Sequence, residues 1–469
     1  MSEPRRRPVR GPRSRTGLRQ WLRPGIGIKR WLGVVLLGEL AFAVAGAFVL
    51  KQWYRDVTLD GPFQGVAYVA TLQFLPYWAR AIPLVVVGAA LLFLGLVRLI
   101  RAFLAPFGER SEPLVEVIYQ KRYLARGPRI VALGGGTGQS ALLRGIKEYT
   151  SNITAIVAVA DDGGSSGKLR AELGIAPMGD IRNCIAALAD AEPLMTRLLQ
   201  YRFPDDVAPT AGLADAGTAG LPEGRAAGLA GHSFGNLYIA AMSAIEGDFE
   251  AGVRQSNRVL AVRGQVVPAA AYPLTLHAQL VDGTQIDGQS RIARACGIER
   301  VWVTPADMRA NREAMEAIEN ADMIVFGPGS LYTSLLPSLL LTDIRDALLA
   351  SPALRVYVCN VATQVGETEG YGLAAHVAAL ERHVGPGLLD VVLANDNLHA
   401  RTAPGDESVP VSLDWTPPAD GRAIALVRRD VVDAENAHRH DSEKLGAAVL
   451  EVFEAHGRTH PPVTFARTA

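Results

Sequence analysis

Cysteine and net charge are the two features that this sequence has least of. Its three cysteines, Cys184, Cys296 and Cys359, are odd in number and widely spaced, which argues against a disulfide framework and a zinc site and suits a reducing compartment. Lysine plus arginine and aspartate plus glutamate each total 47. Because the chain lacks the overall basic excess typical of nucleic-acid-binding proteins, we expect no nucleic-acid partner.

The zero net charge hides an uneven distribution. Residues 1–30 form a basic head with ten Arg or Lys and one Glu, a net charge of +9. Two apolar runs follow at 32–50 and 81–97, and a membrane span needs roughly twenty such residues. The basic residues on both outer flanks predict a transmembrane hairpin over 31–100 with both ends inside. We therefore expect a multi-pass protein of the cytoplasmic membrane, with the lipid bilayer as a partner and the globular domain and both termini in the cytoplasm.

The remainder of the chain alternates short β-branched runs with helical stretches, which indicates an α/β, Rossmann-like fold with a mainly parallel sheet and helices on both faces. Strands are predicted at 129–133, 153–160, 300–304, 323–326, 355–359 and 389–393, with a hairpin-like piece at 274–286. This domain spans 128–455, after a juxtamembrane connector at 101–127. It contains a flexible Ala/Gly-rich insertion at 205–231, and a tail follows at 456–469.

A glycine loop at 134–138, Gly-Gly-Gly-Thr-Gly, joins the first predicted strand to a helix predicted at 139–149. Glycines at such a position let a phosphate approach backbone N–H groups at a helix N-terminus. The spacing departs from the GxGxxG pattern of dinucleotide sites, and a plain strand-to-helix turn is the other interpretation.

A second loop at 161–168 begins with two acids, Asp161 and Asp162, at the end of the second predicted strand. Such a pair could hold a divalent ion, accept hydrogen bonds from sugar hydroxyls, or cap the next helix. The Gly-to-Gly-Lys spacing is not that of a Walker A loop. Asp180 and Arg182 follow at the predicted start of a helix.

Three further segments carry polar side chains. In the loop at 231–237, a serine follows a histidine, but a hydrolase would need a third group to orient that histidine, so we favour a helix start that faces a ligand. The loop at 327–334 offers backbone donors and hydroxyls to a phosphate, or a helix N-cap. Residues 360–368 could read a base or sugar edge, or serve as turn residues.

Taken in order, these motifs closely resemble those of the bacterial gluconeogenesis factor family (the YvcK-like proteins), which is similar in turn to the archaeal 2-phospho-L-lactate transferases. The resemblance covers about 128–455 and includes Arg439 in a closing motif. It implies a Rossmann-like fold that binds UDP-N-acetylglucosamine. It also implies a regulatory role in cell-wall synthesis, cell shape and growth on gluconeogenic carbon sources, with no established catalysis.

Together the loops and the resemblance give one set of expected ligand-binding residues: Gly134, Gly135, Gly136, Thr137, Gly138, Asp161, Asp162, Gly163, Gly164, Ser165, Asp180, Arg182, Asn183, His232, Asn236, Gly327, Pro328, Gly329, Ser330, Thr333, Ser334, Asn360, Thr363, Gln364 and Arg439. No catalytic residue is predicted, and binding is expected to need no cofactor. The expected partners are UDP-N-acetylglucosamine or a similar nucleotide sugar, the cell-wall synthesis machinery and further copies of the chain.

The related transferases leave an alternative open. They use paired acids and a divalent metal, and Asp161, Asp162 and Asp180 lie at similar positions here. This chain would then be a metal-dependent transferase of a phosphate-linked group, with Mg²⁺ as its cofactor.

Overall fold

The computed structural model describes residues 28–51, 81–104, 124–190, 192–204, 229–399, 408–415 and 422–457. They belong to two compact units, Met1–Leu114 and Val115–Ala469. Most of the predicted basic head, connector, insertion and C-terminal tail lies outside the described residues.

The first unit is a pair of helices, α1 (Ile28–Lys51) and α2 (Ala81–Leu104). Small residues let the two backbones come close. A Cβ atom on Gly38 would lie 2.9 Å from Leu92 Cγ and 3.1 Å from the carbonyl oxygen of Gly88. Ala45 is buried in the same pair.

These helices do not bear out the predicted membrane hairpin. Within the described residues, no helix combines the length and the apolar character that crossing a bilayer requires. The prediction of a multi-pass membrane protein over 31–100 is therefore wrong.

The second unit is built on a seven-stranded parallel sheet with the strand order β10-β9-β8-β7-β1-β2-β3. Its strands are β1 (Ile130–Gly134), β2 (Ile153–Val157), β3 (Gln265–Pro268), β7 (Met323–Phe326), β8 (Leu354–Val358), β9 (Val391–Asn395) and β10 (Ala425–Arg429). From β1, in the interior of the sheet, the chain first adds β2 and β3 on one side and then returns to place β7 on the other side of β1. The strand order therefore reverses between β1 and β7, and open α/β sheets bind ligands at such a point.

Helices connect these strands, as the predicted Rossmann-like α/β class requires. In the described residues they are α3 (Gly136–Ile146), α4 (Gly164–Leu173), α5 (Gly179–Leu188), α6 (Glu192–Gln200), α7 (Phe234–Glu246), α8 (Phe249–Val259), α9 (Gln289–Ile292), α10 (Arg312–Glu319), α11 (Leu336–Leu339), α12 (Thr342–Ala350), α13 (Leu373–Val384) and α14 (Ser442–His456). A 3₁₀ turn at Leu124–Arg126 precedes β1, and a π-helical turn at Leu331–Leu335 precedes α11.

A second, three-stranded antiparallel sheet contains β4 (Thr275–Leu280), β5 (Gln285–Asp287) and β6 (Ile298–Thr304) in the order β5-β4-β6. The hairpin predicted at 274–286 is confirmed. The strand predicted at 300–304 exists, but it pairs with β4 and is not part of the main sheet.

The first and last helices of the second unit touch through glycine. Gly145 of α3 and Gly446 of α14 lie so close that a Cβ on Gly446 would meet the Gly145 carbonyl carbon at 2.6 Å. Leu142 and Ile146 of α3 and Leu445 of α14 are fully buried beside this crossing. The contact holds the C-terminal helix against the helix that follows the first glycine loop.

A candidate ligand cavity at the strand-order reversal

A cavity of about 640 Å³ opens at the carboxyl edge of the main sheet, beside the reversal between β1 and β7. Its walls come from the loops after β1, β7 and β8, from helices α3 and α6, and from the segment before α14. It is lined by Gly135, Gly136, Thr137, Gly138, Ser140, Ala141, Arg144, Asn183, Thr196, Gln200, Pro328, Gly329, Ser330, Ser334, Asn360, Val361, Ala362, Thr363, Gln364, Ser408, Asp433, His438, Arg439, His440 and Ser442.

The two glycine loops that flank the reversal pack directly on each other. A Cβ on Gly138 would lie 2.6 Å from the carbonyl oxygen of Pro328, so only glycine fits there. Helix α3 begins at Gly136, which has a φ of +65°, and no side chain caps its N-terminus. Thr137 and Gly138, in the first turn, therefore bring N–H groups without intrahelical acceptors to the cavity wall.

Two amide side chains from the segment after β8 hold the loop after β7. The Gly329 N–H donates to Asn360 Oδ1 at 3.1 Å, and Asn360 Nδ2 donates back to the Gly329 carbonyl oxygen at 3.0 Å. Gln364 Nε2 donates to Ser330 Oγ at 2.8 Å. These bonds connect β7 and β8 across the cavity wall.

The charged residues of the cavity wall are Arg144, Arg439 and Asp433. His440 adds no charge at neutral pH, because burial lowers its pKa to about 4. Its Nε2 lies 3.2 Å from the Cys359 carbonyl oxygen, which only an N–H at that atom can satisfy. The wall therefore has one more positive than negative charge, which favours an anionic ligand.

Thr333, predicted to bind the ligand, turns away from the cavity towards Glu367. The buried Glu367 carboxylate accepts from the N–H groups of Tyr332 and Thr333 at 2.6 and 3.1 Å, and from Thr333 Oγ1 at 3.0 Å. Burial raises the Glu367 pKa to about 7, although these hydrogen bonds oppose the rise. The Glu367 carboxylate thus accepts from the Thr333 N–H and hydroxyl, which the sequence pattern had suggested as donors to a phosphate.

The predicted metal candidates do not gather into one site. Asp161 and Asp180, which we call the acidic pair, are close enough for the charge of Asp161 to raise the pKa of Asp180. The pKa of Asp180 rises to about 6 through burial first and then through the charge of Asp161. Asp162 instead accepts from the Ser290 N–H at 2.9 Å and hydroxyl at 2.7 Å. Among the described residues, no group of three or more His, Cys, Asp or Glu is arranged to hold a metal.

A polar network, defined as Ser165, Arg182, His232, Ser233 and Asn236, joins the N-terminal ends of α4, α5 and α7. Arg182 Nη1 donates to Ser233 Oγ at 2.6 Å and to Asn236 Oδ1 at 3.4 Å. The Ser165 hydroxyl lies 3.2 Å from His232 Nδ1. All five side chains are buried.

The same network explains the serine after His232. Residues 231–235 have Gly-x-Ser-x-Gly spacing, which in hydrolases presents a nucleophile on a turn. Here Ser233 is the N-cap of α7: its hydroxyl accepts from the Asn236 N–H and from Arg182. Because the His232 ring lies against the Ser165 hydroxyl while the Ser233 hydroxyl caps the helix, this serine has a structural role.

Comparisons with known proteins agree with this geometry. A model of the family described as 2-phospho-L-lactate transferase CofD matches residues 130–432. The gluconeogenesis factor of Bacillus subtilis is 41% identical over 340 residues, which cover 71% of this chain and 100% of that protein. The chain belongs to the gluconeogenesis factor family.

Two further comparisons extend beyond the second unit and into three dimensions. A Nostoc protein provisionally named a gluconeogenesis factor is 44% identical over 461 residues, 94% of this chain and 95% of its own, so the match includes much of the first unit. A crystal structure of a Bacillus halodurans protein, described as a member of the upf0052 family, superposes with a TM-score of 0.59 at 41% identity, covering 69% of this chain and 99% of that one.

In this gluconeogenesis factor family member, the predicted site residues fall into two groups. The cavity brings together Gly135, Gly136, Thr137, Gly138, Asn183, Pro328, Gly329, Ser330, Ser334, Asn360, Thr363, Gln364 and Arg439. The other predicted residues lie outside its lining: Gly134, Asp161, Asp162, Gly163, Gly164, Ser165, Asp180, Arg182, His232, Asn236, Gly327 and Thr333. Sequence reasoning missed Arg144, whose spacing from Thr137 and Ala141 is that of one helix face. It also missed Thr196, Gln200 and His438, for which the sequence carries no local signal, and His440, which follows Arg439 in the closing motif.

Proposed function

We propose that this protein is a regulatory protein that binds UDP-N-acetylglucosamine, or a similar nucleotide sugar, in the cavity. The observation that carries the proposal is the meeting of two glycine loops at the strand-order reversal, around a polar space of about 640 Å³. That volume is within the roughly 300–1,000 Å³ of small-molecule sites.

The chemistry of the wall suits a sugar nucleotide. A diphosphate needs backbone N–H donors and positive charge, which the first turn of α3 and the side chains of Arg144 and Arg439 supply. Ribose and sugar hydroxyls need polar side chains, and Asn183, Thr196 and Gln200 line the cavity.

The biological role that we propose follows from the family. Members are named gluconeogenesis factors, and a sensor of a cell-wall precursor would connect carbon supply to wall synthesis and cell shape. Its output would pass to the cell-wall synthesis machinery, with self-association of the chain as one means of signalling.

Calorimetry of the full chain with UDP-N-acetylglucosamine tests the proposal. We expect a dissociation constant in the micromolar range, which corresponds to about −8 kcal/mol. No heat of binding at millimolar ligand would contradict it.

A pair of glycine variants separates the site from general strain. Gly136 and Gly174 both have a φ of +65°, and neither has a heavy atom closer than 4.0 Å to the position of an added Cβ. Leucine at either position costs roughly 1–2 kcal/mol of stability. We expect Gly136→Leu to abolish binding and Gly174→Leu, which lies away from the cavity, to preserve it. Equal loss in both variants would show that strain, not the site, is responsible.

A second candidate function, a metal-dependent transferase of a phosphate-linked group, is favoured by the acidic pair and by the match to the 2-phospho-L-lactate transferase family model. Two neighbouring carboxylates with raised pKa values gain from a divalent cation between them. Calorimetry with and without Mg²⁺, followed by product analysis across phosphate-bearing acceptors, tests it. Affinity that is independent of Mg²⁺, with no product, would exclude this function.

A further inference from the structure

Gln364 lines the cavity, and only one of the two polar atoms of its amide has a hydrogen-bond partner within the described part of the chain. Its Nε2 donates to Ser330 Oγ, whereas its Oε1 is buried and has no hydrogen-bond partner among the residues that the structure describes. Leaving an acceptor buried without a donor costs about 1–3 kcal/mol. A ligand that supplies the donor would remove that cost.

The backbone around Gln364 fixes where this carbonyl group lies. The Gln364 N–H donates to Thr368 Oγ1 at 3.0 Å, and the Thr368 N–H donates to the Gln364 carbonyl oxygen at 3.0 Å. One residue earlier, the Thr363 N–H donates to the Val409 carbonyl oxygen at 2.8 Å. The side chain therefore projects from a closed turn that is tied to a neighbouring segment.

Asn360, the other amide of this segment, provides a contrast. Both halves of its amide bind the backbone of Gly329, which fixes its orientation against the loop. Of the two amides, Gln364 is the one with an atom that has no hydrogen-bond partner among the described residues.

Ser330 places a donor beside the bare acceptor. Its oxygen accepts the bond from Gln364 Nε2, which leaves its own hydroxyl hydrogen to donate. A carbonyl acceptor and a hydroxyl donor thus lie side by side on the cavity wall. Their complement is a ligand edge with an N–H next to a C=O.

We propose that Gln364 Oε1 and the Ser330 hydroxyl together read the imide edge of a uracil-type base. Gln364 accepts from the imide N–H, and Ser330 donates to an adjacent carbonyl oxygen. A cytosine edge has a lone pair in place of that N–H and would repel Oε1. This assignment rests on the proposed function, because it identifies the residue that selects the base of the nucleotide.

Calorimetry of the full chain with UDP, CDP and N3-methyl-UDP tests the assignment without any mutation. We expect CDP and N3-methyl-UDP to bind at least tenfold more weakly than UDP. Equal affinity for UDP and CDP would overturn the assignment. Tighter binding of CDP would also overturn it, because the bare half of the amide would then be a donor.

Gln364→Leu removes the acceptor at similar size. We expect its affinity for UDP to fall to that of the wild type for N3-methyl-UDP, and its discrimination among the three nucleotides to disappear. Gln200→Leu, another glutamine of the cavity wall, should keep the discrimination. A Gln364→Leu variant that still discriminates overturns the role of this residue.

The outcome also separates this inference from the proposed function. If UDP and UDP-N-acetylglucosamine bind but the base is not discriminated, only the inference fails. If neither binds, the proposed function fails as well. Matching thermal unfolding of Gln364→Leu and wild type shows that the variant folds.

Discussion

The cavity and the polar network both begin at glycine-rich loops on one sheet edge, yet their polar groups are used differently. In the polar network, Arg182, Ser233 and Asn236 bind one another within the protein. In the cavity wall, Gln364 Oε1 has no hydrogen-bond partner among the described residues, and the first turn of α3 has N–H groups without intrahelical acceptors. A Gly- and Ser-rich motif after a strand can therefore build either a ligand surface or a junction between helix ends, and only the tertiary partners decide which.

The largest expected effect comes from a substitution in the polar network. Arg182→Met would leave Ser233 and Asn236 without their buried partner and remove a positive charge beside the acidic pair. A buried hydrogen bond to a charged group contributes about 1.5–3 kcal/mol, and Arg182 makes two such bonds here. We expect a large fall in the free energy of unfolding, measured by urea denaturation. Unchanged stability together with lost UDP-N-acetylglucosamine binding would place Arg182 on the ligand side instead.

The next effect concerns pH and His440, which is buried at the cavity wall. Its pKa is lowered to about 4 in the folded protein, from about 6.5 when unfolded. The neutral ring therefore contributes stability that is fully present above pH 6.5 and is lost as pH falls towards 4, by roughly 3 kcal/mol at most. Urea denaturation of wild type and His440→Asn between pH 7 and 4 checks this. Parallel pH profiles for the two proteins would contradict it.

The smallest expected effect comes from a substitution in the cavity wall. Arg439 is exposed and lines the cavity, so Arg439→Met should leave stability within about 0.5 kcal/mol. We expect it to weaken UDP-N-acetylglucosamine binding about tenfold, or 1.4 kcal/mol. Calorimetry at two salt concentrations is the measurement. Undiminished affinity would remove Arg439 from the site and leave Arg144 as the cation that meets the diphosphate.

Local sequence signals predicted the elements around β1 and β7 well. Strands rich in Val and Ile, each followed by glycine, came out in the right place and in a parallel sheet. Helix α3 begins three residues earlier than predicted, because the glycines from position 136 form its first turn. The strand β3 (Gln265–Pro268) was missed because it is four residues long and ends in proline.

Other parts of the site depend on partners that are distant in sequence. Nothing near Thr333 shows that Glu367 occupies its donors, and nothing near Asp162 shows that Ser290 holds its carboxylate. The strand β6 was assigned to the wrong sheet, although its last five residues alternate between more exposed and buried positions in the way typical of a sheet with one covered face. Sequence patterns therefore predicted which loops meet at the sheet edge, but not which of their side chains remain available to a ligand.

The glycine crossing between α3 and α14 has a consequence for how the protein is made. The cavity needs the loop at 134–138, from the start of the second unit, and Arg439 and His440, from its end. Gly145 and Gly446 lock these two ends of the chain together. During synthesis, the N-terminal glycine loop therefore leaves the ribosome long before the residues that complete its wall. Under the proposed function, the ligand-binding cavity would be complete only once α14 has been translated.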